Sequence, residues 1–139
     1  MTLEELLIKE EGWDPCAYKD SEGFWTIGFG TLIDKRKGGG ITKEEGLFLL
    51  RNRVNTFVLA VVQALPFVAD LNEARRTVVF AMAYQMGVPG LLKFKNTLAA
   101  MARGEFTAAA IGMRRSKWYK QTPARAERMA CAMESGVFA

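Results

Sequence analysis

Apolar residues recur every three or four positions over most of this chain, and one short stretch near the N-terminus breaks the pattern. Leu3, Leu6 and Leu7 form one apolar stripe at helical spacing, and Thr2 with Glu5 is a capping-box pattern. A helix over 3–11 is expected, stopped by Gly12 and Pro15. The stretch 17–19 then reads as a short strand, Asp20-Ser21-Glu22-Gly23 as turn chemistry, and the aromatic and β-branched run 24–29 as the returning strand, with 31–33 as a third. Gly28 and Gly30 point to a sharp bend or close backbone approach. The segment 34–40, ending in Gly38-Gly39-Gly40, is a loop; it lacks the Lys-Ser/Thr that opens the helix of a phosphate-binding loop.

Helical period returns at Thr42, which with Glu45 makes a second capping box. Leu47, Leu50, Val54, Phe57, Val58, Val61 and Leu65 carry the period as far as Pro66, which implies a helix of ~33 Å at 1.5 Å per residue. Residues 73–86 are apolar nearly all round after Arg75-Arg76, as in the buried centre of a helical core. Gln85 is the polar exception, read locally as an amide satisfied at a helix end. The run 87–90 breaks the chain, and shorter helices follow over 96–103, over 105–113 and from Thr122-Pro123 to about 134, with Thr122 as N-cap. Arg125 falls in the first turn of that last helix, where the helix dipole disfavours a cation, so it is either solvent-exposed or paired with an anion. The expected fold is α+β and mostly α, a single domain of 139 residues. A small β-lobe at 12–41 is joined by a long helix at 42–65 to a helical lobe made of 1–11 and 66–139.

Composition narrows the chemistry. Half the residues are hydrophobic, which excludes an intrinsically disordered chain. There is no histidine, so His-based metal sites and Ser-His or Cys-His nucleophiles are excluded. Cys16 and Cys131 have no metal-ligand spacing and read as two reduced, partly buried thiols. No metal or cofactor is expected. The net charge of +4 favours an anionic partner, although the basic residues are spread along the chain as on an ordinary solvated surface. The acidic N-terminal segment does not read as a signal peptide, and no apolar run is long enough to span a membrane. Synthesis in the cytoplasm, without a stable membrane anchor, is the expectation.

Two carboxylates stand out. Glu11 ends the first helix, Asp20 opens the hairpin turn, and Thr26 sits six residues further on. Two carboxyl groups in different environments are the minimum equipment for glycoside hydrolysis, one as acid and one as base or nucleophile. Spacing alone does not separate Glu11 from Glu10, nor either from an ordinary surface carboxylate.

The segment EGWDPCAYKDSEGFWTIGFG resembles the catalytic segment of the phage-type lysozymes, glycoside hydrolase family 24. The resemblance continues through ITKEE, AYQMGVPG, FKNTL and SKWYKQTPARAER, in order, over nearly the whole chain. It implies a lysozyme-like fold and a muramidase of the endolysin type acting on peptidoglycan. By resemblance Glu11 matches the general acid, Asp20 the carboxylate that activates water on the opposite face of the sugar, and Thr26 the residue that helps place that water. The family is described as inverting. Arg125 matches an arginine paired with the catalytic glutamate, and Gln85 a residue lining the cleft between the lobes. To act as acid near neutral pH, Glu11 must hold its proton, which partial burial favours and a neighbouring Arg125 opposes. Three departures stand against this match. The segment between GFGTLID and ITKEE is much shorter than in the T-even phage member, Thr31 replaces a histidine that is usually structural, and Gly112 stands where a cleft-side asparagine is expected.

The resemblance implies peptidoglycan as partner, no nucleic acid, a monomer, and synthesis in the host cytoplasm followed by holin-dependent release to the periplasm. Competing readings are a lytic transglycosylase, a catalytically weak peptidoglycan-binding protein, and a basic nucleic-acid binder supported by charge alone.

Overall fold

The computed structural model describes residues 1–33 and 39–139. Most of the loop expected at 34–40 therefore lies outside the described residues. The chain divides into two compact units, residues 1–51 and 52–139.

The first unit begins with α1 (Leu3–Glu11). Its capping box forms as the sequence indicates: the Thr2 N–H donates to Glu5 Oε2 at 2.7 Å, and the Glu5 N–H donates to Thr2 Oγ1 at 3.1 Å. Gly12 ends the helix at φ 70°. A three-stranded antiparallel sheet follows, built in chain order from β1 (Asp14–Lys19), β2 (Trp25–Gly28) and β3 (Thr31–Leu32). Tyr18 pairs with Thr26, and Thr26 with Leu32, so Thr26 lies in the central strand. β1 starts earlier than expected because Asp14 pairs with Gly28; the register is irregular between Asp14 and Tyr18, where Pro15 is tolerated. The second capping box also forms and opens α2 (Lys43–Ala64): the Thr42 N–H donates to Glu45 Oε1 at 3.0 Å, and the Glu45 N–H to Thr42 Oγ1 at 3.1 Å. α2 has the expected 22 residues and is continuous through the boundary between the units.

The second unit holds the hydrophobic core. After α2 the chain makes a 3-10 turn over Pro66–Asp70, which the sequence reading missed, and enters α3 (Glu73–Leu92). Val78, Val79, Met82 and Ala83 of α3 are buried, as the all-round apolar run requires. The break expected at 87–90 is a single non-helical residue, Gly87 (φ 78°, ψ 159°); helix resumes directly after it with Pro89 in the first resumed turn, where a missing N–H costs little. α4 (Lys95–Ala102) and α5 (Phe106–Arg114) pack together. Gly112 is part of that contact: a Cβ there would run into Thr97 Oγ1, so glycine at this position lets α5 close on α4. A short helix absent from the sequence reading, α6 (Lys117–Gln121), is capped by Ser116, whose Oγ accepts from the Tyr119 N–H at 3.1 Å. α7 (Pro123–Ser135) starts where expected, but Thr122 does not cap it with its side chain. That residue also terminates α6, and its hydroxyl donates backwards to the Trp118 carbonyl at 3.2 Å. Both cysteines are free and exposed, not partly buried as expected.

Arg75 and Asn72 tie the start of α3 to the end of α7. The Arg75 Nε donates to the Met133 carbonyl at 2.8 Å and Nη2 to the Glu134 carbonyl at 3.0 Å, while the guanidinium lies 3.6 Å from the centre of the Phe106 ring. Asn72 accepts from the Arg75 N–H and donates to the Gly136 carbonyl at 2.8 Å. The cation thus satisfies carbonyls that a helix C-terminus leaves open. Arg75→Ala is expected to cost about 2 kcal/mol, measured as a shift in urea unfolding with the slope unchanged.

Candidate active site

Glu11, Asp20 and Thr26 all lie in the first unit, on three successive devices: a helix end, a turn and a strand. Asp20 is fixed by the turn it opens. Its Oδ1 accepts from the Glu22 and Phe24 N–H groups, both at 2.9 Å, while its backbone N–H donates to the Phe24 carbonyl at 2.8 Å. Among the described residues Oδ2 takes no hydrogen bond, so one oxygen anchors the carboxylate and the other is left for a ligand or water. Thr26 is buried, and its hydroxyl donates to the Phe24 carbonyl at 3.3 Å. With the proton so directed, the hydroxyl oxygen is an acceptor toward any further partner.

Glu11 closes α1 and lies against the turn between β2 and β3. Its carboxyl oxygen, Cδ and Cβ all come close to Gly30. The residue is exposed, in contrast to the partial burial expected from its role. Next to it is a cavity of about 230 Å³ lined by Glu11, Gly12, Trp13, Asp14, Tyr18 and Gly28. Trp13 stacks on Phe29 with ring centres 4.9 Å apart. The sequence reading had not singled out this pair, because the two rings lie on different elements and meet only after the hairpin has formed.

The two remaining candidates lie in the second unit. Gln85, on α3, is half-buried, and its Oε1 accepts from the Trp118 indole N–H at 3.0 Å. The amide expected to be satisfied at a helix end is therefore satisfied by a long-range partner. Trp118 itself is buried and meets Phe94 edge-on, with ring centres 6.1 Å apart. Arg125 is exposed in the first turn of α7.

A charged cluster that the sequence reading missed lies between α5 and α7. Arg114 makes a two-pronged contact with Glu127, with N···O distances of 3.0–3.2 Å, and reaches Glu134 at 3.3 Å; the Cys131 thiol donates to Glu127 Oε1 at 3.2 Å. The Arg114 hydrogen bonds, followed by those of Cys131 and Tyr119, hold the Glu127 carboxyl down to about 2. A carboxyl lowered on folding stabilises the fold above its ordinary value of 4.5, and the contribution disappears as pH falls through about 2. Glu127→Gln is therefore expected to lower the melting temperature at pH 7. Thermal unfolding from pH 7 to pH 2 should show the gap between variant and wild type closing below pH 4.5.

Comparison with known proteins places these features in a class. The family model described as "Phage lysozyme" matches residues 8–130, which include Glu11, Asp20, Thr26, Gln85 and Arg125. The chain belongs to the phage lysozyme family. It is similar to the "Probable T4-type lysozyme 2" of Dictyostelium discoideum, 27% identical over 97% of this chain and 95% of the relative. It is also similar to part of two longer proteins. One is the pre-baseplate central spike protein Gp5 of Enterobacteria phage T4, 30% identical over 98% of this chain and 28% of that protein. The other is the peptidoglycan hydrolase gp36 of Pseudomonas phage phiKMV, 31% identical over 87% of this chain and 14% of that protein.

Proposed function

We propose that this chain is a muramidase of the endolysin type, hydrolysing the β-1,4 bond between N-acetylmuramic acid and N-acetylglucosamine in peptidoglycan. The observation that carries the reading is the family match over residues 8–130, which spans both carboxylates and the threonine of the central strand. The relative named a peptidoglycan hydrolase supports the substrate class. In this reading Glu11 gives its proton to the glycosidic oxygen. The free Oδ2 of Asp20 takes a proton from a water on the opposite face of the sugar, and that water donates its other hydrogen to the Thr26 oxygen. Direct attack by that water on the face opposite the leaving oxygen inverts the anomeric carbon, and no metal or cofactor takes part. Gln85 and Arg125, which the family match also spans, serve substrate binding in this reading.

The basic surface, with a pI near 9.2, raises the encounter rate with an anionic wall polymer, so clearance of cell walls falls as salt rises. The enzyme acts as a monomer. It is made in the host cytoplasm and reaches the periplasm through a holin lesion; appearance in the periplasm on expression without a second factor would contradict this route. Among the described residues no helix is long and apolar enough to cross a membrane.

Digestion of purified sacculi, with borohydride reduction and mass spectrometry of the soluble products, tests the activity. Muramic acid at the reduced end supports the proposal, whereas glucosamine there or 1,6-anhydro ends assign a different bond or a transglycosylase. Binding to sacculi with no release assigns a wall-binding module.

A further inference from the structure

Four glycines near the candidate site hold backbone conformations with positive φ: Gly12 (70°), Gly23 (87°), Gly28 (69°) and Gly30 (69°). The space beside them differs. A Cβ on Gly12 or Gly23 would meet nothing within 4 Å, and one on Gly28 would touch the Trp13 ring at 3.7 Å, an ordinary contact. One on Gly30 would stand 2.7 Å from Glu11 Oε2 and 3.1 Å from both its Cδ and its Cβ.

Rotation of the carboxyl end can relieve the first of these contacts. It cannot relieve the last, because the Cβ of Glu11 is fixed by the backbone of α1. A side chain at position 30 therefore forces the helix end and the β2–β3 turn apart, or drives the Glu11 side chain off the turn.

We propose that Gly30 is a positioning residue for Glu11: by carrying no side chain, it lets the turn between β2 and β3 serve as the wall against which the acid's carboxyl is set. The catalytic part of this inference rests on the muramidase reading above; the contact itself does not. Displacing a reacting group by about 1 Å costs on the order of 10²-fold in rate without removing any substrate contact.

Gly28 supplies an internal reference. It ends β2 two residues before Gly30 and has the same φ of 69°, so Gly28→Ala carries the same class of backbone strain without reaching Glu11. The experiment measures kcat and KM for muropeptide release, and the melting temperature, in wild type, Gly28→Ala and Gly30→Ala, with melting repeated for both alanine variants in a Glu11→Gly background, which removes the Cβ as well as the carboxyl. Gly30→Ala is expected to lower kcat on the order of 10²-fold below Gly28→Ala, with KM changed by less than about threefold. It is also expected to melt below Gly28→Ala, and that excess should vanish when residue 11 is glycine, since both the carboxyl and the Cβ contacts are then gone.

An excess that persists in the Glu11→Gly background overturns the contact. Equal kcat for the two glycine variants, or a loss confined to KM, overturns the positioning role. A wild type without turnover sinks the muramidase reading and the catalytic role with it, while the melting comparison still decides whether residues 11 and 30 are in contact.

Discussion

Glu11→Gln is expected to leave the fold intact and to remove hydrolysis of peptidoglycan. Glutamine keeps the shape of the side chain against Gly30 but has no proton to give the leaving oxygen. A general acid contributes about 10²–10⁴-fold to such reactions, so release from sacculi should fall by at least that order. Because Glu11 is exposed and makes no ion pair among the described residues, the melting temperature should hardly move. Binding to sacculi should also persist, since the cavity beside Glu11 has five other lining residues. Loss of rate with retained fold and binding separates an acid from a residue that merely supports the helix end.

Trp118→Ala is expected to be the most destabilising of the substitutions considered, by about 3–5 kcal/mol, the usual cost of removing a large buried aromatic. The indole is 7% exposed, lies edge-on to Phe94 and donates to Gln85. Trp118→Phe keeps most of the ring volume but leaves the Gln85 oxygen without its donor, and is expected to cost about 1–3 kcal/mol. Chemical denaturation of the two variants checks both figures. A tryptophan can stack on a sugar ring or pack in a core, and Trp118 is buried. A sugar platform would raise KM at little cost in stability; the geometry predicts the opposite pattern.

These two residues also show what a sequence can reveal. The place of Glu11 was legible because it depends on a local device: a capped nine-residue helix that ends at a glycine and feeds a hairpin. The same holds for Asp20, whose turn is written in four consecutive residues, and for both capping boxes, in which donor and acceptor are three positions apart. What stayed hidden depends on partners far away in the chain. Gln85 and Trp118 are 33 positions apart, Arg75 and Met133 are 58, and neither pair has a local signature. Arg114 reads as one of several scattered cations until α5 and α7 pack together and bring Glu127 to it. Thr122 takes the N-cap position as expected, but its side chain does not cap, for a related reason. A Thr-Pro pair signals a helix start, but the short helix directly before it claims the threonine hydroxyl first. Gly112 has no turn or cap to announce it, and its purpose appears only once Thr97 is seen facing it across the helix contact.

The central claim is that this chain hydrolyses glycosidic bonds with Glu11 as acid, and digestion of purified sacculi in heavy-oxygen water by wild type and Glu11→Gln tests it most directly. Each new muramic acid reducing end released by wild type is expected to carry one heavy oxygen, and Glu11→Gln is expected to release none. Unlabelled anhydro ends from wild type, or labelled ends released equally by Glu11→Gln, would contradict it.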